Sequence, residues 1–129
     1  MDNTNSSKTV LIVDDEELIT KALAKKLEGG GGYSVLVRRN GEDGLKAALA
    51  EKPDLILLDM IMPKMDGMSV LTALREDEWG KEVPVIVLTN LESGEEADKS
   101  RQSGVFDYLV KTNWSLSDVL DRVNDALKN

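Results

Sequence analysis

Acidic side chains directly follow two apolar segments of the chain. Val10–Val13 is followed by Asp14 and Asp15. Leu55–Leu58 is followed by Asp59. If the two segments are neighbouring parallel strands, the three aspartates meet at the carboxyl end of one sheet, where open α/β folds place their ligands. Carboxylates about 4–5 Å apart repel each other by roughly 3–4 kcal/mol at an effective dielectric constant of about 20, and a bound Mg²⁺ ion would relieve that repulsion.

Two more side chains that could take part in a reaction follow predicted strands. Thr89 comes directly after Val85–Leu88, and Lys111 comes directly after Tyr108–Val110. In a parallel sheet both side chains would lie at the same edge as the aspartates. A group of carboxylates, a hydroxyl and an ammonium suits phosphoryl transfer to a carboxylate. Asp59 is then the predicted nucleophile, while Lys111 and Thr89 would hold phosphoryl oxygens.

Each of these residues also has a simpler interpretation. Asp14 and Asp15 could cap the first helix, and Asp59 could be a turn residue. Thr89 alone would be an ordinary strand threonine, and Lys111 alone would be a solvated surface charge. The functional interpretation therefore depends on the four strand ends occurring together rather than on any one of them.

Apolar segments of strand length alternate with amphipathic segments of helix length, which is typical of a parallel sheet covered on both faces. The strands are predicted at Val10–Val13, Ser34–Arg38, Leu55–Leu58, Val85–Leu88 and Tyr108–Val110. The first, third and fourth are continuously apolar and should be central, whereas the second is mixed and should lie at an edge. We therefore predict an α/β fold of three layers: a flavodoxin-like, doubly wound parallel sheet of five strands in the order 2-1-3-4-5, with five helices.

The helices are predicted from apolar positions that repeat at helical spacing. They are Glu16–Leu27, Gly41–Ala50, a segment that begins at the cap Asp66 and ends near Gly80, Gly94–Gln102, and a last helix with an apolar stripe from Leu116 to Leu127. Ser115 or Asn113 would cap the last helix. Gly94–Gln102 has the weakest apolar side, so this fourth helix should be loosely held.

Two details of the helices can also be predicted. The second helix should bury Leu45, Ala48 and Leu49 on its apolar side. The four consecutive glycines Gly29–Gly32 are more than a helix cap needs, so they predict a flexible loop after the first helix.

Length and composition limit the possible classes of protein. The 129 residues fit one domain, predicted over residues 8–129 after a polar, mobile tail of residues 1–7. The chain has no cysteine and no histidine, which excludes disulfides, thiolate metal sites and imidazole catalysis. A formal net charge of -8 disfavours direct binding to nucleic acid or an anionic membrane. No apolar segment approaches the ~20 residues of a membrane span, so a cytoplasmic protein is expected.

Taken together, these residues and their order resemble the receiver domain of two-component response regulators over residues 8–128. The resemblance rests on Asp14-Asp15, the segment from Leu57 to Gly67, Thr89, Tyr108 and Lys111. It implies a phosphoryl donor, which would be a sensor histidine kinase or a phosphotransfer protein. It also implies an output through the surface formed by the fourth helix, fifth strand and fifth helix, which would contact a downstream effector protein or a second copy of the chain.

The resemblance also implies a role for each residue of the site. Asp59 would be the phosphoacceptor, and Mg²⁺ would be held by Asp14, Asp15, Asp59 and the backbone carbonyl of Ile61. Lys111 and Thr89 would bind the phosphoryl group. Thr89 and Tyr108 would form the switch pair, in which Thr89 moves to the phosphate and Tyr108 turns inward.

The sequence departs from the family pattern in three places. Thr112 follows the lysine, where the family usually has a proline in a cis bond, and a cis bond without proline costs ~3–4 kcal/mol. Asn90 follows the threonine, where the family usually has a small residue. Ile61 and Leu91, which flank the phosphoryl site, are both apolar. We therefore predict that they exclude water and make the phosphorylated form long-lived.

Three other functions are compatible with parts of this pattern. An aspartyl-phosphate phosphatase would need a second acid two residues after its nucleophile, where this chain has Ile61. A flavin-binding electron carrier would place a phosphate at the turn after the first strand, where Asp14-Asp15-Glu16-Glu17 would repel it. A receiver-like domain that only binds partners is disfavoured by the complete group of acids, threonine and lysine.

Overall fold

Five parallel strands form a single sheet in a computed structural model that describes residues 8–89, 105–110 and 115–128. The strands are β1 (Thr9–Val13), β2 (Ser34–Arg38), β3 (Leu55–Asp59), β4 (Val85–Thr89) and β5 (Asp107–Val110). Their order is β2-β1-β3-β4-β5, which confirms the predicted order 2-1-3-4-5. Each strand begins and ends within one residue of its predicted bounds.

Four helices flank the sheet in the described part of the chain. They are α1 (Glu17–Gly31), α2 (Gly41–Glu51), α3 (Gly67–Glu76) and α4 (Leu116–Leu127). Helix α4 is the fifth of the predicted helices, since the predicted helix Gly94–Gln102 lies outside the described residues, as does the predicted tail 1–7. Across the described ranges, no helix combines the length and the apolar character needed to cross a membrane.

The side chains of each central strand alternate between two hydrophobic cores, one on each face of the sheet. In β1, Leu11 and Val13 enter the core that α2 and α3 cover. Val10 and Ile12 enter the core that α1 and α4 cover. Because both faces are covered, every residue of a central strand needs an apolar side chain, which explains the continuous apolar runs in the sequence.

The predicted flexible loop at Gly29–Gly32 is wrong, because α1 continues to Gly31. Gly32 ends the helix in a left-handed conformation (φ 70°), and its N–H donates to the carbonyl of Leu27. A Cβ atom on Gly31 would lie 2.9 Å from a methyl carbon of Leu120 in α4. The absence of side chains at Gly30 and Gly31 therefore lets the end of α1 approach Leu120 of α4 closely.

The predicted buried side of α2 is also partly wrong, because Leu49 is exposed. The buried residues of this helix include Gly44, Ala47 and Ala48. A Cβ atom on Gly44 would lie only 2.5 Å from a methyl carbon of Val13 in β1. The helix therefore approaches the sheet on its smallest residues, and the larger Leu49 faces outward.

The predicted caps of the last two described helices are confirmed. The Asp66 carboxylate accepts a hydrogen bond from the Ser69 N–H at 2.8 Å at the start of α3. Ser115 and Asp118 form a reciprocal capping box at the start of α4. These caps fix where each helix begins relative to the preceding strand.

Candidate functional site

Asp14 and Asp59 lie at equivalent positions on neighbouring strands. Val13 of β1 is opposite Leu58 of β3, and each aspartate is the next residue of the chain. Both carboxylates are buried, with 0% of Asp14 and 5% of Asp59 exposed. Burial of two acids side by side requires compensating positive charge or hydrogen bonds, because removing a carboxylate from water is costly.

The backbone around Asp14 holds this carboxylate in place. The N–H of Asp14 donates to the carbonyl of Arg38 in β2 at 3.1 Å. The Oδ1 atom of Asp14 accepts a hydrogen bond from the N–H of Glu16 at 2.9 Å. Glu16, rather than Asp14 or Asp15, is the N-cap residue of α1, and its side chain makes no capping hydrogen bond. The simpler interpretation of the two aspartates as helix caps therefore fails.

Asp15 completes a cluster of three carboxylates with Asp14 and Asp59. One carboxylate oxygen from each residue lies within 4.8 Å of the others, and Asp15 is exposed at the surface. At this separation each pair of charges repels by about 3–4 kcal/mol at an effective dielectric constant of 20. Three oxygen donors of this kind, without nitrogen or sulfur, fit a hard cation such as Mg²⁺.

The loop between β3 and α3, residues 60–66, follows Asp59 directly. The N–H of Ile61 faces Oδ1 of Asp59 at 3.4 Å, and the Ile61 side chain is 60% exposed. The N–H of Gly67 donates to the carbonyl of Met60 at 2.9 Å, which closes the loop. A Cβ atom on Gly67 would lie 2.3 Å from the carbonyl oxygen of Asp59, so only glycine fits at the end of this loop.

The backbone register extends the site toward β4 and β5. Asp59 is opposite Leu88, and Thr89 is the next residue of β4. Thr89 is in turn opposite Val110, the residue that precedes Lys111 in the sequence. The side chain of Thr89 and the residues Asn90, Leu91, Lys111 and Thr112 lie outside the described part of the structure, so their roles stay predictions.

Tyr108 lies in the edge strand β5, opposite Val87 of β4. Its side chain is half-buried and packs against the core that α2 and α3 cover. A tyrosine in this position borders both the core and the surface, which is compatible with the inward turn predicted for it.

Two contacts near the cluster were not predicted from the sequence. One is the hydrogen bond from Asp14 to Arg38 at the end of β2. The other is a contact between Gly41, the first residue of α2, and the loop after Asp59, where the Gly41 N–H faces the carbonyl of Pro63 at 3.4 Å. The sequence feature that could have indicated the second contact is a glycine at the first position of a helix, because a backbone without a side chain lets a neighbouring segment come close.

Comparison with known proteins identifies the family. Residues 10–124 match the profile described as response regulator receiver domain. The chain belongs to the receiver domain family of response regulators. It is therefore a phosphorylation-dependent switch of two-component signalling, and the family resemblance predicted from the sequence is confirmed.

Individual receiver domains and regulators are similar to this chain. It is 40% identical over 124 residues to the alkaline phosphatase synthesis transcriptional regulatory protein PhoP of Bacillus subtilis, covering 95% of this chain and 49% of that protein. The chain thus spans about half the length of this relative. The chemotaxis response regulator CheY4 of Vibrio cholerae superimposes with a TM-score of 0.85 at 28% identity, covering 95% of this chain and 100% of that one.

A third similar protein has a metal ion in its site. The receiver domain of the sensor histidine kinase PA1611 of Pseudomonas aeruginosa superimposes with a TM-score of 0.79 at 26% identity. The match covers 93% of this chain and 97% of that one, whose structure has a magnesium ion coordinated in the active site cleft.

Proposed function

We propose that Asp59 of this receiver domain accepts a phosphoryl group from a phosphohistidine of a sensor histidine kinase or phosphotransfer protein, or from a small phosphodonor. The observation that carries this proposal is the cluster in which Asp59 lies within 4.8 Å of Asp14 and Asp15, measured between carboxylate oxygens. Asp59 is 5% exposed, and the loop that follows it contains the exposed residue Ile61, so Asp59 borders the surface from which a donor would approach.

In the proposed reaction, a carboxylate oxygen of Asp59 attacks the phosphorus atom of the donor. A P–O bond forms while the P–N bond of the phosphohistidine breaks, and its electron pair stays on the imidazole nitrogen, which can then take up a proton. The product is an acyl phosphate on Asp59. Hydrolysis by water would return the free carboxylate and inorganic phosphate, which ends the signal.

A divalent cation is needed because the incoming phosphoryl group adds negative charge to three clustered carboxylates. We propose that Mg²⁺ is held by Asp14, Asp15, Asp59 and the backbone carbonyl of Ile61. The chemistry that Mg²⁺ supplies when bound is neutralisation of charge on phosphoryl oxygens. The magnesium ion in the PA1611 receiver domain and the all-oxygen donor group here support this proposal.

Lys111 and Thr89 would hold the remaining phosphoryl oxygens, Lys111 through its ammonium and Thr89 through its hydroxyl. The new phosphate carries about 1.5 to 2 negative charges. Thr89 would move to it, and Tyr108 would turn into the space that Thr89 leaves. A shift from 1:99 to 99:1 between the two conformations requires about 5.5 kcal/mol of differential interaction, and a few charge-assisted hydrogen bonds could supply much of it.

The output partner would be an effector protein or a second copy of this chain, bound through the surface that contains residues 94–102, β5 and α4. The net charge of -8 disfavours direct contact with nucleic acid or an anionic membrane. We place the domain in the cytoplasm, where a kinase could reach it. Ile61 offers no acid to protonate a leaving group, so the domain would catalyse its own phosphorylation and dephosphorylation without turning over a separate substrate.

Intact mass measurement after incubation with acetyl phosphate tests the proposal. The wild-type chain should gain one phosphoryl group when Mg²⁺ is present and none when EDTA replaces it. Asp59→Asn should gain none under either condition. Asp66→Asn is the matched control, since Asp66 is an exposed aspartate of the same loop region and asparagine also caps helices well. Phosphorylation of Asp59→Asn at the wild-type level, or repeated turnover of a generic phosphate ester, would contradict the proposal.

A further inference from the structure

The short segment from Arg38, the last residue of β2, to Gly41, the first residue of α2, contacts both segments that carry the aspartate cluster. At its start, the carbonyl of Arg38 accepts the hydrogen bond from the N–H of Asp14 at 3.1 Å. At its end, the N–H of Gly41 faces the carbonyl of Pro63 at 3.4 Å. This short connection therefore spans from the strand end that bears Asp14 to the loop that follows Asp59.

Gly41 has no space for a side chain. A Cβ atom at this position would lie 1.8 Å from the carbonyl oxygen of Met65, 2.7 Å from its carbonyl carbon and 2.9 Å from its Cβ atom. Gly41 lies in a helix and its φ is not left-handed, so glycine is required here for space and not for backbone conformation. The atoms that a side chain would meet belong mainly to the backbone of the loop, which cannot rotate away as a side chain can.

The first turn of α2 is itself held firmly. Oδ1 of Asn40 accepts a hydrogen bond from the N–H of Asp43 at 2.8 Å, and its amide nitrogen donates to the Asp43 carboxylate at 2.9 Å. The carbonyl of Asn40 accepts from the N–H of Gly44 at 3.0 Å. Gly41 therefore presents a fixed surface to the loop.

We propose that Gly41 is a positioning residue of the magnesium and phosphoryl site. It sets how closely the segment from Pro63 to Met65 approaches α2, and so where Ile61, two residues before Pro63, places its carbonyl relative to Asp14 and Asp59. This inference rests on the proposed function, because it assigns Gly41 a role in the geometry of that same site. Any displacement of the loop would move the proposed carbonyl ligand of Ile61, while Asp14 and Asp59 stay fixed at the ends of β1 and β3.

The test is Mg²⁺ affinity of Gly41→Ala, measured by isothermal titration calorimetry on the full chain. We expect the dissociation constant for Mg²⁺ to rise by about 10- to 100-fold, the range found when groups that orient metal ligands are altered. Saturating Mg²⁺ should restore most of the phosphorylation by acetyl phosphate, since Asp59 itself is unchanged. The melting temperature in EDTA gives the purely structural cost of the same substitution.

Gly80→Ala is the matched control. Gly80 is also buried, and a Cβ atom there would lie 2.1 Å from the carbonyl oxygen of Leu74, so the added methyl again overlaps a backbone carbonyl. That overlap lies after α3, outside the loop that follows Asp59. Gly80→Ala should lower the melting temperature in EDTA and leave the Mg²⁺ dissociation constant unchanged. Gly29→Ala, which adds a Cβ atom with nothing within 4 Å, should leave the Mg²⁺ dissociation constant unchanged and should not lower the melting temperature, because alanine favours the helix more than glycine does.

The possible outcomes distinguish failure of the proposed function from failure of the positioning role alone. If the wild-type chain does not bind Mg²⁺, the proposed function fails and this inference fails with it. If the wild type binds Mg²⁺ and Gly41→Ala binds it equally well, the positioning role alone is overturned. Should Gly41→Ala not fold, Asn40→Ala replaces it, because it removes the two side-chain hydrogen bonds that hold the first turn of α2, and with it Gly41, against the loop. If Gly41 positions the loop, this loosening should also raise the Mg²⁺ dissociation constant. An unchanged Mg²⁺ affinity in Asn40→Ala would then overturn the role.

Discussion

Asp14 and Asp59 follow directly after Val13 and Leu58, two residues that are opposite each other on the neighbouring strands β1 and β3. This register brings two buried carboxylates together, and Asp15 adds a third at the surface. The repulsion among them lowers the free energy of unfolding in the absence of a cation. A ligand that binds the folded state alone should therefore stabilise this domain measurably.

Mg²⁺ should raise the free energy of unfolding by about 2.7 kcal/mol at a concentration of 100 times its dissociation constant. Thermal melting curves with and without Mg²⁺ measure this effect. Asp59→Asn and Asp15→Asn should each remove much of it, because each loses a carboxylate ligand.

Asp59→Asn should also be more stable than the wild type in EDTA, because one of three clustered charges is gone. Asp66→Asn is the control for both effects and should melt like the wild type under both conditions. A wild-type melting curve indifferent to Mg²⁺ would count against the site.

The apolar residues next to the site should control how long the phosphoryl group persists. Ile61 is 60% exposed directly after the site, where its side chain can restrict the approach of water to Asp59. Ile61→Gln combined with Leu91→Gln should shorten the half-life of the phosphorylated form several-fold, measured by intact mass after removal of the phosphodonor. Leu49→Gln, an exposed leucine on α2, is the control. A half-life that is unchanged or longer in the double variant would contradict the prediction.

The order and character of the strands could be predicted because a buried parallel strand requires apolar residues at every position. The three central strands show this pattern and the edge strand β2 does not. The site could be predicted for a related reason, since polar residues directly after buried strands must lie at the sheet edge. Asp14, Asp59 and Thr89 are therefore visible in the sequence without knowledge of the tertiary contacts.

The packing of glycines could not be predicted in the same way. Gly29–Gly31 disfavour a helix by local preference, yet they extend α1. At Gly31, Leu120 and Tyr33 occupy the space where a side chain would be. Likewise, the role of Gly41 depends on Met65, which is distant in sequence and approaches only in the folded chain. Local patterns report secondary structure, whereas close approaches of this kind depend on tertiary contacts.

Thr89 should couple phosphorylation to Tyr108. The Thr89→Ala variant should still accept a phosphoryl group on Asp59, since the nucleophile and the acids are intact. The surroundings of Tyr108 should then no longer change on phosphorylation. Fluorine NMR of protein labelled with fluorotyrosine measures this directly, because Tyr33 and Tyr108 are the two tyrosines of the chain and Tyr33 serves as the internal reference. An equal shift of the Tyr108 signal in wild type and variant would show that Thr89 is not the coupling residue.

Arg75 stabilises the segment between α3 and β4. Its guanidinium donates to the carbonyls of Gly80 at 2.6 Å and Val83 at 2.9 Å, and burial lowers the pKa of this half-buried group. Arg75→Met should lower the free energy of unfolding by about 2–3 kcal/mol, because two buried carbonyls lose a charged donor. Urea denaturation measures this loss.

Arg122→Met is the control for the Arg75 prediction, because it removes an ion pair between the exposed Arg122 and the partly exposed Asp107 and should cost less than about 1 kcal/mol. Similar losses of unfolding free energy in the two variants would mean that the hydrogen bonds of Arg75 stabilise the fold no more than the Arg122–Asp107 ion pair does.

The ion pairs of Glu17 should make the free energy of unfolding depend on pH in the acidic range. A hydrogen bond from Lys21, followed by one from Arg39, lowers the pKa of the Glu17 carboxyl below its ordinary value. Because the folded state favours the charged carboxylate, the stabilisation is complete above the ordinary pKa and is lost as the pH falls through the lower pKa of the folded state. The effect should be small and sensitive to salt, since all three side chains are exposed.

Melting temperatures of wild type and Glu17→Gln between about pH 6 and about pH 3 measure this component. The wild type should lose its advantage over Glu17→Gln as the pH falls, because protonated Glu17 and glutamine are both neutral. In a background that carries Lys21→Met and Arg39→Met, the substitution of Glu17 should have little effect at any pH, since the cations that stabilise the carboxylate are absent. An advantage of the wild type that persists at low pH would mean that Glu17 stabilises α1 by something other than its charge.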